Sequence, residues 1–236
     1  MFSFLFLGFS LGAAHAFEAD HVAAVSSLVA GRLSRRAMLK SGLMWGFGHT
    51  LSLLGVCTLA LLSGRIIGPH LNSGLELGVG LMLVALGGHV LYRLRRDRVH
   101  FHRHAHKDGT THLHLHSHLG ESGPHQRAAH RHAHPDGAVR RSLFVGMMHG
   151  LAGSSALLVA TAAAFDSAIS GFFFVLLFGA GSILGMGAMS AVLSVPLSLT
   201  AGLLTRANTV LQVSIGCLTM AIGARIILIN AGALLL

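Results

Sequence analysis

The sequence predicts an all-α integral membrane protein in which six transmembrane helices form two inverted three-helix repeats. The first observation is compositional: hydrophobic residues make up 53% of the 236 positions and charged residues only 11%. A soluble domain carries about 25% charged residues, so this composition indicates a membrane protein. The second is that six apolar stretches are each long enough to cross a bilayer. The third is that the last three stretches repeat features of the first three.

The apolar stretches define the predicted helices, because crossing a bilayer takes about 20 helical residues. The predicted spans are 2–28, 41–63, 73–94, 142–164, 168–197 and 208–234. No strand-like alternation typical of a transmembrane barrel occurs in them. The chain is predicted to form one transmembrane domain, 1–236. Its parts are a first repeat at 1–95, a histidine-rich connection at 96–140 and a second repeat at 141–236.

Basic residues lie in alternate connections between the predicted helices. They include Arg35 and Lys40 after the first span, Arg95 and Arg141 around the long connection, and Arg206 before the last span. Because cytoplasmic connections are enriched in Lys and Arg, we expect both termini outside the cell, the long connection in the cytoplasm, and the protein in the inner (plasma) membrane. The net charge of +9 is therefore attributed to orientation and not to nucleic-acid binding.

The repeat is visible in three pairs of segments. Leu11–Val25 is echoed by residues 145–159, with Gly12 matching Gly146 and His15 matching His149, and 80–87 is echoed by 216–223. The segment 45–50 is echoed more weakly by 177–182. Three helices per repeat give the two halves opposite orientations. Inverted repeats are typical of secondary transporters, whose substrate site lies near the midplane where the repeats meet.

The first predicted span contains four ionisable residues, His15, Glu18, Asp20 and His21. A charged residue at the centre of a membrane helix costs roughly 2.5–3.5 kcal/mol on insertion scales, so such residues usually face a pathway or a partner. The pattern His-x4-Asp-His combines nitrogen and oxygen ligands that suit a divalent transition metal. We therefore predict a metal site in this segment.

An unbroken helix would not direct all four groups at one ion. At about 100° per residue, His15, Glu18 and His21 form a drifting stripe, and Asp20 points away from Glu18. Either the helix unwinds near residues 16–19, or the two histidines bind metal at different depths. His49 and His149 are candidates to complete the ligand shell; the alternative is that both are buried histidines bonded to carbonyl groups.

The long connection holds twelve of the eighteen histidines. We expect it to be disordered when no metal is bound, because it lacks the apolar residues that build a core. Imidazoles at this density bind nickel, cobalt, zinc or copper, although a solvated linker is the alternative. The predicted auxiliary metal-binding loop comprises His100, His102, His104, His106, His112, His114, His116 and His118.

These motifs resemble those of the nickel/cobalt permease superfamily, in particular its short six-helix, urease-associated branch. The resemblance covers residues 15–25, 45–50, 146–154 and 178–186. It implies transport of Ni²⁺ or Co²⁺, with His15, Asp20 and His21 as the essential recognition residues. The histidine-rich connection is also similar to that of the nickel/cobalt efflux branch, so uptake and efflux both remain open.

A transporter of this kind is expected to be no enzyme and to need no cofactor beyond the transported ion. The alternative is a metal-dependent membrane oxidoreductase, whose clustered histidines usually include His-His pairs that this chain lacks. The expected partners are the metal ion and the lipid bilayer, without nucleic acid, and a cytoplasmic metallochaperone is a candidate to receive metal from the loop.

Overall fold

A computed structural model describes residues 2–30, 34–63, 68–97, 100–105, 111–116, 135–164, 167–203 and 205–235. In these residues the chain forms seven helices and one two-stranded sheet. The helices are α1 (Phe2–His15), α2 (Ala19–Val29), α3 (Arg35–Ser63), α4 (Pro69–Asp97), α5 (Pro135–Ala164), α6 (Ala168–Leu203) and α7 (Thr205–Leu235). The strands are β1 (His100–Ala105) and β2 (Thr111–His116).

The described helices include four that are long and apolar enough to cross a membrane, at Arg35–Ala60, His70–Arg96, Ile169–Thr200 and Ala207–Ala233. Two shorter apolar helices lie at Phe6–His15 and Ala19–Val29, and α5 has 30 residues. Large apolar side chains such as Leu62, Ile169 and Leu228 are exposed on the outside of the protein. This exterior fits a protein whose surroundings are lipid.

Five of the six predicted spans correspond to single helices, but the first does not. The predicted span 2–28 is divided into α1 and α2, with residues 16–18 between them. The helix is broken where two histidines and two carboxylates crowd an otherwise apolar segment. A continuous helix over 2–28 is therefore corrected to two short helices.

The connection that was expected to be disordered without metal has twelve residues in strands. Strands β1 and β2 pair antiparallel, with His100 opposite His116, His102 opposite His114 and His104 opposite His112. The alternation of histidine with other residues matches the two-residue period of a strand, which explains this local structure. His106 and His118 lie outside the described residues.

Helices pack in pairs that cross the two halves of the chain: α1 with α6, α3 with α5, α3 with α6, and α4 with α7. Glycines allow these backbones to approach closely. A Cβ atom on Gly80 would lie 2.9 Å from the carbonyl oxygen of Gly223, and one on Gly87 would lie 2.6 Å from that of Gly216. The two helices α4 and α7 therefore run antiparallel, almost in backbone contact.

The buried core lies at the junction of α2 with α3, α4, α5 and α6. Its fully buried side chains include Val25 of α2, Trp45 of α3, Leu83 of α4 and Met186 of α6. Because these residues surround the first turns of α2, they fix the position of the segment that carries Asp20 and His21.

Candidate metal centre

The break between α1 and α2 is a tight turn. The backbone N–H of Phe17 donates to the carbonyl of Ala14 at 2.9 Å, and that of Glu18 donates to the carbonyl of His15 at 3.1 Å. Glu18 then adopts an extended conformation, and α2 begins at the next residue. Of the two alternatives drawn from the helical stripe, unwinding near residues 16–19 is confirmed.

The turn brings three histidines from three helices together. The ring centres of His15 and His21 are 4.3 Å apart, and His49 of α3 lies 5.5 Å from the first and 5.1 Å from the second. Each offers one ring nitrogen, and these nitrogens lie within 4.8 Å of one another. His21 and His49 are buried, with 1% and 0% of their surface exposed. Three imidazoles at this separation, two of them buried and that of His15 partly buried, can converge on one metal ion.

Neighbouring carboxylates determine which nitrogen each of the first two histidines presents. Nδ1 of His15 donates to Glu18 Oε1 at 2.8 Å, and Nδ1 of His21 donates to Asp20 Oδ1 at 3.0 Å. An ionised carboxylate only accepts hydrogen bonds, so in a neutral ring the lone pair is left on Nε2. Both Nε2 atoms are buried without a hydrogen-bond partner in the described structure. This is the arrangement in which carboxylates orient metal-binding histidines.

Asp20 also connects the two halves of the chain. Its Oδ2 accepts a hydrogen bond from Nε2 of His149, in α5, at 3.0 Å. The ring centres of His149 and His21 are 4.2 Å apart. Asp20, His21 and His149 thus form a second group of potential ligands within 4.8 Å. The potential ligand atoms of this group are already joined by hydrogen bonds, whereas those of the three-histidine group are not bonded to one another.

His49 differs from the other histidines, because both of its ring nitrogens are buried without a partner in the described residues. A buried polar group without a hydrogen bond is costly, so such a group usually has a function. The alternative interpretation, a histidine bonded to carbonyl groups, therefore finds no support at His49. At His149 the partner is the carboxylate of Asp20, although Nδ1 of the same ring has no partner among the described residues.

Two aromatic residues form walls of the site. The ring of Trp45 lies 5.4 Å from His21 and 5.7 Å from His149, and Phe178 of α6 lies 5.2 Å from His15. Trp45 is fully buried. Neither was predicted as a site residue. Trp45 is the first residue of segment 45–50 and Phe178 the second of segment 177–182, the two segments matched as a repeat. Apolar walls exclude water and hold the imidazole rings in place.

The remaining predicted ligands are located elsewhere or at the edge of the site. Glu18 is the most exposed member, with 57% of its side chain accessible, and its described bond is to His15. Six of the eight loop histidines lie on the hairpin at His100, His102, His104, His112, His114 and His116. Of the predicted site residues in the second repeat, His149 alone joins the histidines and carboxylates of the first repeat.

Comparison with known proteins agrees with this geometry. Residues 1–235 match the model of the NicO family, described as a high-affinity nickel-transport protein. The chain is also 32% identical over 214 residues to the urease accessory protein UreH of Bacillus sp. (strain TB-90), which covers 91% of this chain and 86% of the relative. No solved structure matches the chain. The resemblance predicted from the motifs is confirmed: the chain belongs to the NicO family of nickel-transport proteins of the membrane.

Proposed function

We propose that this protein carries Ni²⁺ or Co²⁺ across the inner membrane, and that His15, His21 and His49 hold the ion during passage. The observation that carries this proposal is the convergence of three imidazoles, each with a buried Nε2 atom that has no hydrogen-bond partner in the described structure. Imidazole nitrogen suits nickel and cobalt, and neutral rings replace water molecules of the ion's hydration shell. Nickel transport itself follows from membership of the family.

In this proposal Asp20 orients the ligands and balances charge, and does not bind the ion directly. Its two oxygens accept hydrogen bonds from His21 and His149, and the backbone N–H of His21 donates to it at 2.9 Å. These three hydrogen bonds occupy three of the roughly four lone-pair positions of the carboxylate. As a carboxylate next to the imidazoles, it also offsets the positive charge of an ion in a low-dielectric environment. Glu18 plays the corresponding part for His15.

We further propose that α1 and α2 together form one crossing, so that six crossings form two inverted repeats. Support comes from packing that is equivalent in the two halves. A Cβ on Gly12 of α1 would meet the carbonyl oxygen of Phe178 in α6, and a Cβ on Gly146 of α5 would meet that of Trp45 in α3. The pairs α1–α6 and α3–α5 would therefore be related by the repeat. The basic connections favour outside termini and a cytoplasmic hairpin.

The histidine-rich connection is proposed to buffer metal on the cytoplasmic side. Antiparallel pairing sets three histidines of β1 opposite three of β2. Histidines that are paired in register between two strands would give nickel or cobalt several two-histidine sites. These sites would be weaker than the membrane site, since fewer ligands are preorganised.

The test is metal flux in sealed vesicles of both orientations, with Ni²⁺ and Co²⁺ as separate substrates. We expect His21→Ala to abolish flux, because it removes one proposed ligand and the ring N–H that donates a hydrogen bond to Asp20. His70→Ala is the matched control: this histidine is exposed near the beginning of α4 and should not affect flux. The vesicle orientation that accumulates metal distinguishes uptake from efflux. Flux of wild-type rate in His21→Ala would reject the proposed site.

A further inference from the structure

A cavity lies away from the metal centre, at the end of the molecule where α2 and α4 end and α5 begins. Its volume is about 380 Å³. The cavity is lined by Ser27, Leu28, Ala30, His89, Val90, Arg93, Gly137 and Arg141. These residues come from three helices, α2, α4 and α5. A volume of this size is in the range of small-molecule sites.

The lining carries a strong positive charge. It includes two arginines, Arg93 and Arg141, and the imidazole of His89, and none of its eight described residues is acidic. A guanidinium presents five N–H donors in a planar fork that matches carboxylate and phosphate groups. A metal cation would be repelled here, so this cavity is unsuited to extend the metal path. An anion is the ligand that its charge favours.

The beginning of α5 adds to this preference. Gly137 is the third residue of a 30-residue helix, and its N–H belongs to the first turn, which has no intrahelical acceptors. Nothing lies within 4 Å of the position where a Cβ on Gly137 would be, so the backbone there is accessible. Helix N-termini with accessible amides favour anions, phosphate in particular.

One of the arginines is already held in place. Nη2 of Arg93 donates to the carbonyl of Ala30 at 3.1 Å, which attaches the guanidinium to the residue just after α2. Arg93 therefore has a structural role as well as its charge. Arg141 lies on α5, is exposed and lines the cavity. Its position there does not depend on a described hydrogen bond to another residue. Arg141 is thus the better residue for a test.

We propose that this cavity binds a phosphate-bearing anion, supplied by the headgroup of an anionic phospholipid or by free phosphate. Basic pockets between transmembrane helices on the cytoplasmic side are known to receive lipid headgroups. The apolar side chains of Leu28 and Val90 form part of the wall. A bound phosphate would join Arg93 of α4, which is attached to the end of α2 through Ala30, to Arg141 on α5. Because α2 carries Asp20 and His21 in its first turn, the anion would fix the helix that presents the metal ligands.

The experiment uses the full chain purified in phosphate-free neutral detergent, with metal absent. In one arm inorganic phosphate is titrated against chloride at equal ionic strength, and binding is read as a shift in the unfolding temperature. In the other, the protein is placed in phosphatidylcholine nanodiscs with and without phosphatidylglycerol, and retained lipid is counted by native mass spectrometry. Arg141→Gln is compared with Arg140→Gln, which removes the same charge from the neighbouring exposed residue outside the cavity.

We expect Arg141→Gln to weaken binding about tenfold, because it removes a charge-assisted hydrogen bond, and Arg140→Gln to change it less than about twofold. Binding of inorganic phosphate identifies a free anion as sufficient, whereas retention of phosphatidylglycerol alone identifies a lipid headgroup. Absence of both, or equal losses in the two variants, overturns the proposal. Since the readouts do not involve nickel, they are independent of the proposed metal site.

Discussion

Asp20 holds His21 by two hydrogen bonds: Oδ1 accepts from the backbone N–H at 2.9 Å and from ring Nδ1 at 3.0 Å. Adjacent residues in a regular helix rarely point toward one another, so this relationship depends on the break that precedes α2. Its consequence is chemical. With Nδ1 donating to the carboxylate, Nε2 is the only nitrogen of His21 that can bind a metal ion.

The first prediction concerns Asp20→Asn. The amide keeps the volume of the side chain, but its NH₂ group cannot accept the hydrogen bond from His149, and the negative charge is lost. Loss of an orienting partner typically costs 10–100-fold in metal affinity. We expect a decrease of this size in Ni²⁺ binding, measured by isothermal titration calorimetry. Glu18→Gln is the control at the exposed edge, and a smaller loss is expected there. An unchanged affinity in Asp20→Asn contradicts the orienting role.

The second prediction separates His49 from His149. His49→Ala removes a proposed ligand whose ring nitrogens have no partner in the described structure, so metal binding should be lost, and the metal-free protein should lose only the packing of the buried ring. His149→Ala removes a similarly buried ring and also the hydrogen bond to Asp20, so it should lower the stability of the metal-free protein by about 1–3 kcal/mol more. Metal binding should be weakened but retained. Thermal unfolding with and without Ni²⁺ measures both effects; the opposite pattern would assign the ligand role to His149.

Much of the fold could be predicted because membrane helices are encoded locally. Long apolar runs indicated where α3 to α7 lie, and the charge pattern within 15–21 gave unwinding near 16–19 as one of two alternatives for the first span. The bonding of Asp20 could not be predicted, since its second partner, His149, is 129 residues away in sequence. Whether a carboxylate binds metal or orients a histidine depends on such a distant neighbour.

The alignment of the repeats illustrates the same limit. The sequence matched 45–50 with 177–182 by composition. In the structure a Cβ on Gly48 would meet the carbonyl oxygen of Leu143, and a Cβ on Gly181 would meet that of Phe9. Leu143 and Phe9 correspond when Gly146 is aligned with Gly12. The packing therefore favours an alignment of Gly48 with Gly181, which is shifted by one residue from the match of 45–50 with 177–182. In this alignment Ser182 corresponds to His49.

This alignment accounts for the asymmetry of the site. His49 contributes an imidazole in the first half, whereas the corresponding Ser182 donates its hydroxyl to the carbonyl of Gly12 at 3.1 Å. The cavity between α2, α4 and α5 was also beyond prediction, because its eight lining residues come from three separate parts of the chain. Pattern analysis detects faces of single helices, and it does not detect spaces between several of them.

The third prediction concerns the hairpin. Replacing the six paired histidines of β1 and β2 by glutamine should reduce the number of Ni²⁺ ions bound per purified protein and leave one tight site. Glutamine keeps a polar side chain of similar size but lacks the imidazole nitrogen that suits nickel. Equilibrium dialysis at low and high Ni²⁺ measures both classes. The control variant replaces His70 and His89, which lie outside the hairpin. Loss of the tight site in the six-residue variant would show that the hairpin and membrane sites are not independent.

The last prediction tests whether the two halves pack equivalently. Gly12→Ala and Gly146→Ala each add a methyl group where the structure has a backbone carbonyl, of Phe178 and of Trp45 respectively. Backbone cannot rotate away as a flexible side chain does, so both variants should be destabilised, each by about 1–3 kcal/mol or more. Gly55→Ala is the matched control, because nothing lies within 4 Å of its added methyl group, and its unfolding temperature should be unchanged or slightly higher.

The measurement is thermal unfolding of the three purified variants in one detergent. If the repeats are related as proposed, Gly12→Ala and Gly146→Ala should lower the unfolding temperature by similar amounts, because each disturbs one of two helix pairs, α1–α6 and α3–α5, that the repeat would relate. Metal affinity should fall in both, since Trp45 and Phe178 are walls of the site. A large loss in one variant with none in the other would mean that the two contacts are not equivalent, and would count against inverted repeats.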